Sequence, residues 1–180
     1  GKRVRPLLHH HEGTTTLCSV QWYPRDSGAF VTASMGGQVS VYDTNLFRPV
    51  ATFSLDTLYC AQMRDEEGGS PLIACALQDG SVRLCDPRTQ DCSLSLRGHQ
   101  MAVTRVDWSP RCPHLLASAG KDGACKVWDV RRAGRGVTGV VRTFDWRGDF
   151  SAAARVDASR LTARASAGAE SGAGTGAGGG

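Results

Sequence analysis

One feature constrains the fold more than any other: chemically similar residues recur every 43 positions. Asp43, Asp86 and Asp129 keep that spacing, as do Ala33, Ala76 and Ala119, and Gly37, Gly80 and Gly123. The apolar set Val41, Leu84 and Val127 falls in the same register, and Trp22 and Trp108 lie two periods apart. Columns in step at a fixed distance mean one structural unit built three times, each copy shielding its neighbour. A period of about 40–45 residues is that of a four-stranded antiparallel sheet.

Within each copy the apolar runs are short and bounded by turn residues, which predicts strands. First strands are expected over Leu17–Trp22, Leu58–Met63 and Val103–Trp108, and second ones over Phe30–Ser34, Leu72–Ala76 and His114–Ala119. Third strands are expected over Val39–Asp43, Val82–Asp86 and Cys125–Asp129, and fourth ones over Val50–Phe53, Ser93–Leu96 and Val140–Phe144. Gly36-Gly37, Asp79-Gly80 and Asp122-Gly123 separate second from third strands, where glycine supplies the positive φ of a tight hairpin. Pro24 and Pro110 follow first strands, where a missing N–H does least harm. The middle copy reaches Met63 two residues early, and the loop 66–70 restores the count. The expected fold class is therefore all-β, with repeats at about 11–53, 54–96 and 97–144 inside a domain spanning 1–150.

Composition breaks at the end of the third copy. Residues 131–180 hold eleven Gly and eleven Ala, and they carry the whole of the +4 net charge. Such a stretch buries too little apolar surface to offset chain entropy, so 151–180 is expected to be a disordered Gly/Ala-rich tail. The abrupt shift also suggests a truncated or wrongly translated end, and Gly1 in place of Met suggests a lost or processed start. No run approaches the roughly 18 apolar residues of a membrane helix, so no membrane partner is expected.

The third copy holds Gly98-His99, Leu116-Ala117-Ser118, Asp122-Gly123 and Lys126-Val127-Trp128-Asp129. This pattern resembles the WD-repeat family. The first and second copies, ending Val41-Tyr42-Asp43 and Leu84-Cys85-Asp86, resemble degenerate members. The resemblance implies a partial β-propeller of about three blades serving as a binding scaffold, with no catalysis and no cofactor. Longer segments sharpen it: Val20-Gln21-Trp22-Tyr23-Pro24, Tyr42-Asp43-Thr44-Asn45, Trp108-Ser109-Pro110-Arg111 and the stretch 127–133. Over about residues 18–133 these are similar to the branch that serves as substrate receptor of a cullin-RING ubiquitin ligase in transcription-coupled nucleotide-excision repair. That branch implies a nuclear protein whose partners are the ligase adaptor and transcription or repair proteins.

Two constellations follow from the resemblance. His99, Ser118, Asp122 and Trp128 are implied to form a buried structural tetrad. Their residue types also suit a Ser-His-Asp hydrolase, but no nucleophile-elbow glycines flank Ser118. Only the third copy holds the full set: Thr32, Gly36 and Tyr42 occupy the matching places in the first, and Asp56, Cys75, Asp79 and Cys85 in the second. The second constellation is a W-D-x-R ending, Trp128, Asp129 and Arg131, echoed by Asp86 and Arg88. It resembles the docking box for the ligase adaptor, with Asp holding the Arg guanidinium at an outer rim.

Other readings are weaker. Arg131, Arg132 and Arg135 lack interleaved aromatics, so direct nucleic-acid binding is not expected. The Gly-rich tail lacks the Lys-Ser/Thr of a phosphate loop. His9-His10-His11 has no second ligand cluster, so no metal is expected. The seven cysteines include no CxxC pair and number an odd count, which argues against a disulfide framework and for a reducing compartment. The alternatives to a repair receptor are a generic WD scaffold in another nuclear assembly, or a truncated fragment without function.

Overall fold

The computed structural model describes residues 16–24, 27–64, 71–133, 139–145 and 150–151. The expected tail beyond 151, Arg135, the histidine run and the whole 66–70 loop lie outside the described residues.

Among the described residues, thirteen strands form three antiparallel sheets. The first contains β1 (Leu17–Trp22), β2 (Ala29–Ser34), β3 (Gln38–Asp43) and β4 (Arg48–Ser54), in that order. The second contains β5 (Leu58–Met63), β6 (Ile73–Leu77), β7 (Ser81–Asp86) and β8 (Asp91–Arg97). The third contains β9 (Val103–Trp108), β10 (Leu115–Gly120), β11 (Ala124–Asp129) and β12 (Val140–Asp145), and it gains β13 (Phe150–Ser151) at its outer edge. No helix occurs among the described residues. The chain is thus all-β and built from repeated four-strand meanders, as the 43-residue period requires.

First strands fall where the sequence places them, and later ones shift by a residue or two. β6 starts at Ile73 rather than Leu72, and β10 at Leu115 rather than His114. Outer strands are longer than the apolar runs, because Arg48 and Asp91 still find cross-strand partners in Asp43 and Asp86. The fifth strand of the third sheet was not legible, since it pairs through only Phe150 and Ser151. Each hairpin turn between second and third strands takes its glycine at positive φ: Gly37 at 89°, Gly80 at 83° and Gly123 at 77°.

The period also fixes how the sheets stack. Val31, Ala33, Val39, Val41 and Phe53 pack against Ile73, Cys75, Leu77 and Cys85 in one buried cluster. One period on, Ala74, Ala76, Val82, Leu84 and Leu96 pack against Leu116 and Trp128 in the next. The forward face of each sheet therefore meets the backward face of its successor through the same columns. The middle sheet is buried on both sides, which explains why β6, Ile-Ala-Cys-Ala-Leu, is uniformly apolar and fully buried. Innermost strands carry most of the contact: Ser19 Oγ donates to Ala61 O at 3.1 Å, and Trp108 Nε1 donates to Gln62 O at 3.0 Å.

One sequence expectation fails. Cys85 and Cys92 form a disulfide across the β7–β8 hairpin, with Cα atoms 4.0 Å apart. The odd count and missing CxxC pair were poor guides, because antiparallel pairing brings together residues on either side of a turn. Cys18, Cys60, Cys75, Cys112 and Cys125 remain thiols.

Candidate functional site: a buried tetrad and an outer rim

The tetrad is assembled by four elements. β10 supplies Ser118, β11 supplies Trp128, and the link from β8 to β9 supplies His99. The turn after β10 supplies Asp122. Trp128 Nε1 donates to Ser118 Oγ at 2.8 Å. Ser118 Oγ lies 2.8 Å from His99 Nε2, and His99 Nδ1 lies 2.9 Å from Asp122 Oδ2. The indole can only donate and the carboxylate only accept, so the chain has one consistent direction. Ser118 donates to Nε2, and the Nδ1–H of a neutral imidazole donates to Asp122.

Burial enforces that state. The His99 side chain is fully buried, and desolvation lowers its pKa even though Asp122 pulls it up. Asp122 is desolvated too, but the N–H groups of Gln100 and Ala124 and the His99 imidazole hold its pKa below the usual carboxylate value. Gly120 leaves room for the ring, since a Cβ there would come within 2.6 Å of His99 Nδ1. Ser118 is 2% exposed, so its hydroxyl faces the protein rather than solvent. The arrangement ties the start of the third sheet to its inner hairpin.

The rim lies at the other end of the sheets, where β3–β4-type turns project. Arg131 Nε donates to Asp129 Oδ1 at 3.1 Å, and its Nη2 donates to Asp129 Oδ2 at 2.8 Å. Asp129 is 7% exposed, while the Arg131 side chain is 65% exposed. The Asp is thus a buried clamp, and the Arg is the group offered outward. The clamp lowers the Asp129 pKa and raises that of Arg131. In the second sheet the Arg88 N–H donates to Asp86 Oδ1 at 2.8 Å, giving the same turn with Arg88 exposed. Trp128, expected at this rim, is completely buried and takes part only by anchoring β11 in the tetrad. The two constellations are therefore joined through Trp128 and Asp129, adjacent residues of β11.

Among the described residues no group of three or more His, Cys, Asp or Glu is placed to hold a metal ion. No described helix is long and apolar enough to cross a membrane.

Stacked four-strand meanders with a buried His-Ser-Asp-Trp chain define a repeat-built β scaffold. Residues 90–129 match the family model described as WD domain, G-beta repeat, so the chain carries a WD repeat. It is 36% identical over 127 residues to the WD repeat-containing protein ATCSA-1 of Arabidopsis thaliana, covering 70% of this chain and 28% of that protein. It is 31% identical to the ribosome biogenesis protein ytm1 of Neurospora crassa, over 69% of this chain and 26% of that one. It is 29% identical to the radiation-sensitive protein 28 of Saccharomyces cerevisiae, over 72% of this chain and 26% of that one. The chain spans about a quarter of the length of these curated relatives. The segments quoted from residues 18–133 resemble the Cockayne syndrome group A protein of DNA excision repair.

Proposed function

We propose that this chain is part of a nuclear WD-repeat substrate receptor, acting without chemistry of its own in a cullin-RING ubiquitin ligase of transcription-coupled repair. The observation that carries the proposal is the bidentate Asp129–Arg131 pair, which fixes a guanidinium outward at the rim. A clamped Arg loses little freedom on binding, and Arg is favoured at interface hot spots. Arg88 on the neighbouring sheet extends the same surface, with Asp86 and Trp128 as supports. The likeness to ATCSA-1 supports this reading.

The test is recovery of the ligase adaptor from nuclear extract with the full-length protein. Arg88→Ala combined with Arg131→Ala should reduce recovery about tenfold or more, the loss of one or two interface hot spots. Unchanged recovery would remove the rim assignment. The ribosome biogenesis relatives favour a second reading, a scaffold in another nuclear assembly. That reading expects the double variant to leave adaptor recovery and all repair phenotypes alone.

A further inference from the structure

Tyr42, Cys85 and Trp128 stand one period apart, each the residue before the aspartate that ends its third strand. At that point the ladder to the fourth strand slips in every sheet: after Val41, after Leu84 and after Val127. A slip of this kind interrupts the ladder, so each third strand needs another tie beside its rim turn. The three ties differ. Tyr42 stacks on Phe30, with ring centroids 5.1 Å apart, and Trp128 Nε1 donates to Ser118 Oγ at 2.8 Å. Cys85 instead bonds covalently to Cys92 on β8. The first two ties are indifferent to redox conditions, and the third is made or broken by two electrons.

That covalent tie spans the turn that offers Arg88. Beyond the slip the ladder resumes with Asp86 and Asp91, and Asp86 Oδ1 accepts from the Arg88 N–H at 2.8 Å. Gln90 sits at φ 56°, a left-handed conformation that such a side chain keeps where the surrounding structure enforces it. The bond closes the stem of this turn. Its two sulfurs are unequal. Cys85 is fully buried between the first and second sheets, whereas Cys92 is partly covered at the edge of the same cluster. A thiol arriving from solvent therefore reaches Cys92 first. The other five cysteines are thiols. Of these, Cys60 and Cys75 are fully buried, and desolvation pushes the Cys75 pKa up, so neither offers a thiolate to a reagent the size of glutathione.

We propose that Cys85 and Cys92 are a redox switch on the Arg88 turn, closed by a glutathione-type disulfide and opened by the corresponding thiol. In closing, the Cys92 thiolate attacks one sulfur of oxidised glutathione and displaces a glutathione thiolate, which takes up the proton that Cys92 gave. The Cys85 thiol then loses its proton, attacks Cys92 Sγ in that mixed disulfide and releases the second glutathione. Two electrons and two protons pass from the pair to glutathione, and opening reverses both steps. The closed state presents Arg88 on a fixed turn and is the state that binds the ligase adaptor. That consequence rests on the rim reading, and the switch itself does not.

The full-length protein is equilibrated with reduced or oxidised glutathione, then read by the mass of its alkylated peptides and by amide exchange. The pair should convert completely in both directions, while Cys60 and Cys75 stay thiols. On reduction the Arg88 N–H should exchange about tenfold faster, while the Arg131 N–H, which donates to Asp129 Oδ1 at 3.0 Å, keeps its rate. Cys85→Ser should trap glutathione on Cys92, and Cys92→Ser should trap none on Cys85. Both variants should exchange like the reduced protein in either buffer. A pair that resists reduced glutathione in the folded chain, or never closes in oxidised glutathione, would overturn the proposal. So would an Arg88 rate that ignores the bond, or glutathione trapped on Cys85. Reduction should also lower adaptor recovery about threefold, and Arg88→Ala should abolish that dependence. If Arg88→Ala weakens recovery and reduction does not, the regulatory step fails and the rim stands. If neither matters, the rim reading fails, and the switch stands or falls on the exchange rates.

Discussion

Gly120 lies directly against His99: a Cβ on the glycine would sit 2.6 Å from the imidazole Nδ1 and 2.5 Å from Asp122 Oδ1. In the second sheet Leu77 occupies the glycine's place and Asp56 the histidine's, so the side chain and the ring exclude one another. Gly120→Ala should destabilise the chain by about 1–3 kcal/mol through overpacking. His99→Ala should cost about 1–3 kcal/mol by leaving the buried Ser118 hydroxyl without its acceptor. Urea melts of the two single variants and the double would check this. In the double, the glycine substitution should cost much less, because the ring it crowds is gone.

Acidification should weaken the third sheet in two stages. The His99 pKa is lowered in the fold, mainly by desolvation, so protonation favours the unfolded chain. Its contribution is fully present above the unfolded pKa of 6.5 and is lost as pH falls toward the folded value. Asp122 is also lowered, so its contribution holds above 3.8 and fails at more acid pH. Chemical denaturation across this range should show stability falling below about pH 6.5, with the slope flattened in His99→Gln.

The Cys85–Cys92 bond closes a loop of seven residues' separation around the turn that carries Arg88. Reduction, or Cys92→Ser, should lower stability by about 2 kcal/mol on loop entropy alone. A non-reducing peptide map should recover the two cysteines on one linked pair. Finding both freely alkylated in the folded chain would contradict the pairing.

Ala74 and Ala117 share a column, yet they should tolerate change differently. Ala74 is fully buried against the third sheet, so Ala74→Val should cost about 1–3 kcal/mol. Ala117 is only partly covered, and Ala117→Val in this chain should stay within about 0.5 kcal/mol. Thermal melts of the two variants would separate the effects.

Much of the fold was legible because one arithmetic period carries strand, turn and face together. Val31, Ala74 and Ala117 recur not as similar letters but as the same position on the same side of a sheet. The tetrad was legible through the resemblance to WD repeats, since residue types alone also suited a Ser-His-Asp hydrolase. What escaped needed distances. Cys85 and Cys92 look unrelated until β7 and β8 are paired in register. Burial of Trp128 corrects its assignment to the rim, because the likeness of a W-D-x-R ending to a docking box does not say which strand atoms reach solvent.

The shared columns also give the stack a direction. Its leading flank carries the aromatic ladder Trp22, Phe30 and Tyr42, with ring centroids 5.5 and 5.1 Å apart. Its trailing flank carries the smaller Ala117, Ala119, Cys125 and Val127. The two flanks are different surfaces, and at each junction one kind of face meets the other, so another unit stacked the same way fits in only one sense. An assembly grown this way is head-to-tail and cannot close by two-fold symmetry. It ends only by curving round until its last flank meets its first.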